Sequence, residues 1–311
     1  MNRFAEKSVA IVEVGARDGL QNEPEVFATE TKVELLTRMM NAGARRLEVA
    51  SFVHPKRVPQ MADAEAVVAA LPDRRDVSYI GLVLNKRGLL RALATREGGR
   101  RGVDEAGCVA VATDSFGQRN QSQTIADSLR ENHEMLRLAR QEGLTPQVTV
   151  SVAFGCPFEG EVPQTRVLEI VQRLAESEPD EIALADTIGA GVPRQVSDLF
   201  GKAREVLPRN IRLRAHFHNT RNTGIANAWA AFEAGADVLD SSVGGLGGCP
   251  FAPRATGNIA TEDLLYLLHR SGVATGMDLD SAIETARWFE GVRGTPAASM
   301  LARAGSFPAR R

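Results

Sequence analysis

His216-Phe217-His218 closes an apolar/polar alternation, and this pair of imidazoles is the strongest chemical signal in the chain. Strand side chains alternate with a period of two. Ile211, Leu213, Ala215 and Phe217 therefore fall on one face, and Arg212, Arg214, His216 and His218 on the other. Two imidazoles side by side can grip one metal ion, although a hydrogen-bonded polar pair at a strand end is the plainer alternative. Asp18 offers a carboxylate and Asn258 an amide, which makes an oxygen/nitrogen donor set without a thiolate cluster. Such a set suits a hard or borderline divalent cation, Mg²⁺ or Mn²⁺, with Zn²⁺ less favoured.

The elements that must carry these residues recur with a steady beat. Short β-rich runs lie at Val9–Val14, Arg46–Val53, Val77–Leu84, Cys108–Ala112, Val148–Phe154, Glu181–Ala185, Ile211–His218 and Val238–Val243. Helical apolar stripes separate them, at Thr31–Ala42, Ile125–Gln141, Val167–Ala175 and the alanine-rich Asn222–Ala234. Eight such strands predict an α/β fold, a closed (β/α)8 TIM barrel, rather than an open doubly wound sheet. The open sheet would carry a Gly-rich phosphate turn after its first strand, and Gly15-Ala16-Arg17-Asp18-Gly19 is not GxGxxG. Residues 1–275 read as the barrel and 276–311 as a short C-terminal helical extension ending in a mobile Pro/Gly/Arg-rich tail.

Bulk properties exclude several classes. The chain has 311 residues, 43% of them hydrophobic, with a formal net charge of -2 and no long run of one sign. Nucleic-acid binding has no electrostatic footprint in such a chain. Cys108, Cys156 and Cys249 are sparse and odd in number, which points to a reducing, cytoplasmic setting. Met1 to Ser8 lacks the apolar core of a signal peptide, and no segment approaches the ~20 apolar residues needed to span a membrane.

In a barrel of this kind, chemistry collects at the C-terminal ends of the strands. Those ends carry Arg17, Asp18, Glu48, Ser51, Asp186, Thr187, His216 and His218, then a glycine run into Cys249, with Asn258 beyond. Each has a duller explanation. Asp18 could cap a following helix, Arg17 could be a surface cation, and Glu48 could simply pair with Arg46. Asp186 could be a turn residue and Cys249 an inert core thiol. Strict alternation from Val9 even puts Asp18 on the face opposite Arg17, unless the flanking glycines bend the chain. Clustering at one end of one barrel favours the chemical reading.

The segment Val12-Glu13-Val14-Gly15-Ala16-Arg17-Asp18-Gly19-Leu20-Gln21-Asn22-Glu23 resembles the opening of 3-hydroxy-3-methylglutaryl-CoA lyases. Further matches follow in family order: Ser51-Phe52-Val53, Gly155-Cys156-Pro157-Phe158-Glu159-Gly160, Asp186-Thr187-Ile188-Gly189, Gly245-Leu246-Gly247-Gly248-Cys249-Pro250-Phe251 and Gly257-Asn258. The resemblance implies a metal-dependent carbon–carbon lyase that cleaves 3-hydroxy-3-methylglutaryl-CoA to acetoacetate and acetyl-CoA, in leucine breakdown or a related pathway. It implies Asp18, His216, His218 and Asn258 as metal ligands, and Arg17 as the cation facing the enolate. It further implies Cys249 as a loop acid/base, with Glu48 and Asp186 orienting the machinery. Gln21, Ser51 and Thr187 are expected to join Arg17 in contacting substrate. The general base is open between Asp18 and His216.

CoA phosphates call for a basic rim, and Lys56, Arg57, Lys86, Arg87 and Arg119 are candidates. The family also implies a homodimer. Departures bear on the acyl group. Where these lyases read Asp-Thr-Tyr-Gly-Gln after the second histidine, this chain reads Asn219-Thr220-Arg221-Asn222-Thr223. Ala183 and Ala185 replace a serine and a glycine, and Arg254 replaces a glycine in the loop. A lyase for a different branched 3-hydroxyacyl-CoA is the nearest rival. A condensing synthase of the isopropylmalate type is more distant, because such enzymes add a regulatory domain. A barrel that merely binds CoA or metal would not need the whole residue set.

Overall fold

The computed structural model describes residues 7–248 and 257–308, and Cys249 and Arg254 lie outside the described residues. Eight parallel strands close into a barrel: β2 (Ala10–Glu13), β3 (Arg46–Ser51), β4 (Ser78–Val83), β5 (Glu105–Val111), β6 (Thr145–Ser151), β7 (Glu181–Asp186), β8 (Arg212–Phe217) and β9 (Val238–Ser241). β9 pairs with β2, from Ala10 opposite Val238 to Glu13 opposite Ser241, and this completes the ring expected from the sequence. A two-residue strand β1 (Lys7–Ser8) pairs separately with β10 (Val273–Ala274).

Helices α1 (Thr29–Asn41), α2 (Ala64–Ala70), α3 (Lys86–Ala94), α4 (Asp114–Gln121), α5 (Ile125–Gln141) and α6 (Gln164–Ala175) surround the first half. The second half carries α7 (Pro193–Val206), α8 (Gly224–Glu233), α9 (Thr261–Arg270), α10 (Leu279–Arg293) and α11 (Met300–Ala304). α5 starts where its sequence dictates: Thr124 and Asp127 form a reciprocal capping box. Outward-facing strand residues pack on the helices, as Phe217 does against Phe154 and Phe200 with ring centroids 5.8 and 6.3 Å apart. Among the described residues, no helix is long and apolar enough to cross a membrane.

Some boundaries differ from the sequence expectation for physical reasons. β5 begins at Glu105, three residues before the apolar run, because Glu105 is buried on the lumen side against Arg46. β6 stops at Ser151 rather than Phe154, because Val152 takes a φ of 52°, a costly conformation for a β-branched residue. The stretch expected to be a mobile tail holds α11. Ser299 caps it, and Asp263 of α9 accepts hydrogen bonds from Ser299 and the Met300 and Leu301 N–H groups.

The barrel lumen is ionic at levels where branched aliphatics usually dominate. Arg46 makes two hydrogen bonds to Glu105 and two to Glu181. Arg214, 2% exposed, ion-pairs with Glu181 at 3.1 Å and Asp240 at 3.4 Å. Glu48 therefore does not pair with Arg46 as its position on the same face suggested; it pairs with Arg17.

Candidate active site

Residues Gly15–Gly19 form one wide helical turn immediately after β2. The turn breaks the alternation of the strand, so Arg17 and Asp18 both reach the barrel mouth. Glu48 comes from β3, and His216 and His218 from the end of β8. Asn258 bridges back to His218 across an isolated antiparallel contact. Gly257 makes that approach possible: a Cβ there would meet the Gly247 and Gly245 carbonyl oxygens at 2.5 and 2.7 Å.

The geometry brings the ligand candidates together. Asp18 Oδ2 lies 3.7 Å from the Nε2 atoms of both His216 and His218. The Asn258 amide nitrogen donates to that same oxygen at 2.9 Å and to the Leu246 carbonyl at 3.1 Å. Asn258 Oδ1 and His218 Nδ1 are buried without a hydrogen-bond partner. Arg17 Nε donates to Glu48 Oε2, and Arg17 NH1 to Asp18 Oδ1, each at 2.6 Å. Asp18 is therefore tied to Arg17 and Asn258 and does not cap a helix.

Electrostatics favour the ionised ligand set. Burial pushes the Asp18 carboxyl up, but Arg17 and the two imidazoles outweigh it and hold the group well below the usual carboxylate range. Burial pulls His216 down, while its hydrogen bond to Asp240 and the nearby Asp18 raise it above the ordinary imidazole value. The buried ion-pair network joins three guanidiniums (Arg17, Arg46, Arg214) to five carboxylates (Asp18, Glu48, Glu105, Glu181, Asp240). The half-exposed Arg212 touches its edge at 3.5 Å from Glu181. Among the described residues, these buried guanidiniums and carboxylates are thus two positive charges short. An imidazole that ligates a metal is neutral, so with an ion in place one divalent charge beside Asp18 balances these groups, and the donor set and the charge both fit such an ion.

Other residues named from sequence divide. Gln21 and Thr187 line a cavity of about 160 Å³ at the mouth, together with Arg17, Asp18 and both histidines. Gly248, the residue before Cys249, also lines it. The Thr187 hydroxyl accepts the N–H of the strained Val152. The Ser51 hydroxyl is buried in the barrel wall without a partner. Asp186 is fully buried, and its carboxylate accepts the Ala190 and Gly191 N–H groups at 2.8 and 2.9 Å, the turn role considered for it. Burial raises its carboxyl despite those two bonds. Arg221 adds no cation to the cavity, because its guanidinium holds the Ile188 and Gly189 carbonyls.

The basic rim is split as well. Arg57 and Arg87 share a recess of about 510 Å³ beside the mouth. Arg119 lies over the Phe158 ring, 4.0 Å from its centroid. Lys56 and Lys86 are exposed.

Asp240 is a residue that sequence reasoning passed over. Its Oδ2 pairs with His216 Nδ1 at 3.0 Å, which leaves Nε2 facing Asp18. A charged residue inside the apolar run of β9 was its visible signal. Glu13 and Glu262 were also missed. Glu13 accepts the Gly15 and Val243 N–H groups at 2.8 and 2.9 Å, and Glu262 accepts Gly244 N–H at 3.1 Å. Both brace the base of the glycine-rich loop.

Burial pushes Glu13 to about 7 and Glu262 to about 8. These folded values exceed the unfolded ones, so the stabilisation is complete below about pH 4.3 and is lost as pH rises through 7 and 8. Melting temperature is expected to fall between pH 5 and pH 9. Glu262→Gln should remove a share on the order of 5 kcal/mol at the alkaline end, because each tenfold change in proton affinity is worth roughly 1.4 kcal/mol. Thermal melts across that range check this, and an unchanged pH slope in the variant would refute it.

Fold and site together define a barrel enzyme whose mouth gathers a possible metal site, Asp18, His216 and His218, beside a buried arginine. The family model described as HMGL-like matches residues 8–288, and the chain belongs to that family. It is a lyase, and the family is divalent-metal dependent. Among its relatives, the (R)-citramalyl-CoA lyase of Chloroflexus aurantiacus is 41% identical over 309 residues, covering 96% of this chain and 95% of the relative. The hydroxymethylglutaryl-CoA lyase of Pseudomonas mevalonii is 41% identical over 278 residues, 89% of this chain and 90% of the relative. An HMG-CoA lyase from Acinetobacter baumannii, solved in complex with coenzyme A and 3-methylmalate, superimposes with a TM-score of 0.92 at 35% identity. That likeness covers 100% of this chain and 99% of the other.

Proposed function

We propose that the chain cleaves 3-hydroxy-3-methylglutaryl-CoA to acetoacetate and acetyl-CoA. The observation that carries this reading is the convergence of Asp18, His216 and His218 beside Arg17 at the floor of a cavity that opens toward Arg57 and Arg87. Asp18, His216, His218 and Asn258 would hold a divalent cation, Mg²⁺ or Mn²⁺. When bound, that ion supplies the Lewis acidity that makes a tertiary hydroxyl easier to deprotonate.

The chain's own groups do the rest. Asp18 or His216 takes the hydroxyl proton. The Arg17 guanidinium, fixed by Glu48, compensates the negative charge that develops on the thioester oxygen as the carbon–carbon bond breaks. Cys249, next to the cavity-lining Gly248, donates the proton that converts the enolate to acetyl-CoA. Asp186 acts at one remove by shaping the turn beside Thr187.

A third cavity of about 230 Å³ shares Gln21, Leu84 and Asn120 with the mouth, and His54, Arg57 and Asn85 with the outer recess. It supplies a path for the pantetheine arm and leaves the phosphates at Arg57 and Arg87. Arg57→Ala/Arg87→Ala is expected to raise KM for the thioester about tenfold with kcat nearly unchanged. Initial-rate kinetics check this, and an unchanged KM would remove both from the phosphate site. The same reading takes the protein to be a cytoplasmic homodimer.

A shorter substrate is the second reading, with citramalyl-CoA as its representative. Ala185 lines the cavity where the family pattern has glycine, so its methyl narrows the acyl site. The broad likeness to the C. aurantiacus enzyme points the same way. Both thioesters should be assayed with and without Mg²⁺ or Mn²⁺. Acetoacetate from the first supports the main reading, pyruvate from the second alone supports the shorter acyl group, and turnover of neither sinks both.

A further inference from the structure

We propose that Arg214 is a positioning residue whose single guanidinium holds the two halves of the cation site in register. The inference rests on the divalent-cation reading and adds a residue that lines the mouth cavity without being one of the ligand candidates. Arg214 lies on β8 two positions before His216, on the same lumen face, and is 2% exposed.

Two chains of contact leave this side chain. On one side, Nε ion-pairs with Asp240 Oδ1 at 3.4 Å, and neither atom has a hydrogen-bond partner elsewhere. The other oxygen of that carboxylate receives His216 Nδ1 at 3.0 Å. Holding Oδ1 fixes the rotation of the carboxylate, and hence which imidazole nitrogen carries the proton and which faces Asp18. On the other side, NH2 lies 3.9 Å from Glu48 Oε1, and the second oxygen of Glu48 takes Arg17 Nε at 2.6 Å. Arg17 in turn bonds Asp18. The chains Arg214–Asp240–His216 and Arg214–Glu48–Arg17–Asp18 end on two different ligands.

The fork is itself anchored. NH2 donates to Thr149 Oγ1 at 3.0 Å, while NH1 donates to Gln147 and ion-pairs with Glu181 at 3.1 Å. One planar group thus meets side chains of β3, β6, β7 and β9. A lysine ammonium keeps the charge but has no fork to reach in all these directions. A purely structural buried charge would need compensation alone; the connection to both ligands predicts an effect on ion affinity.

The test is Mn²⁺ binding to the whole chain, by calorimetry and electron paramagnetic resonance, without thioester. Arg214→Lys is expected to weaken Mn²⁺ binding about 10- to 100-fold, the loss usual when a group orienting a metal ligand is disturbed. Thermal melts on the same samples verify the fold. The second variant, Arg214→Met/Asp240→Asn, removes the charge pair together, so its fold does not depend on an orphaned carboxylate. Its Mn²⁺ affinity is expected to fall below that of Asp240→Asn alone, because the branch through Glu48 and Arg17 to Asp18 is lost as well. Wild-type affinity in Arg214→Lys, or a double variant that binds Mn²⁺ as tightly as Asp240→Asn, overturns the proposal that one guanidinium serves both halves. A wild-type chain that takes up no Mn²⁺ overturns the cation reading itself, a result distinct from either.

Discussion

Alanine at His216 or Asp18 is expected to abolish Mn²⁺ binding and to lower kcat by at least about 10³-fold, the scale on which loss of Lewis-acid charge stabilisation is felt. Asp18 Oδ2 stands 3.7 Å from both imidazole Nε2 atoms, so each substitution removes one corner of a three-atom cluster. The two variants should differ in one respect. His216→Ala leaves Asp240 buried with its Arg214 contact. Asp18→Ala leaves Arg17 with Glu48 as its carboxylate partner and takes one negative charge from a network that is two positive charges short. Its fold should therefore tolerate loss of the ion better than the wild type does. Mn²⁺ should raise the wild-type melting temperature and leave both variants unmoved, since a ligand stabilises only a state that binds it. His54→Ala, an exposed histidine outside the cluster, should keep the Mn²⁺ response. Retained Mn²⁺ binding in either ligand variant would show that the ion, if any, sits elsewhere.

The strand period made half of this site legible. His216 and His218 share a face because nothing between Arg212 and Phe217 disturbs β8, so a two-residue repeat was enough to pair them. Arg17 and Asp18 were harder, because period two assigns adjacent residues to opposite faces. The wide turn at Gly15–Gly19 overrides that rule, and alternation carries no signal for such a turn. Partner choice in the lumen was beyond reach for a related reason. Arg46 and Glu48 lie two apart on one strand, yet Arg46 turns to Glu105 and Glu181 on strands β5 and β7. Ring closure sets which side chains meet across the barrel, and a linear pattern does not contain it. The eight strands themselves were visible as apolar runs. Their limits slipped where a buried glutamate opened β5 and a positive φ at Val152 closed β6.

Removing Arg17 is expected to lower kcat about 10³-fold while KM for the thioester changes by less than about threefold. The guanidinium meets charge that exists only as the bond breaks, so its loss raises the activation barrier more than it weakens ground-state binding. The magnitude matches the removal of one preorganised donor to a developing oxyanion. Arg17→Met raises an ambiguity, because it also strips Glu48 of its tight partner and leaves that buried carboxylate facing Arg214 at 3.9 Å. A loss of activity could then reflect a disturbed core rather than a missing cation. Arg17→Met/Glu48→Gln separates the two causes. Neutralising the carboxylate should restore the melting temperature toward wild type and leave kcat as low as in the single variant. If the double variant instead recovers most of the rate, Arg17 serves the fold of the lumen, and charge compensation at the thioester oxygen must come from another group.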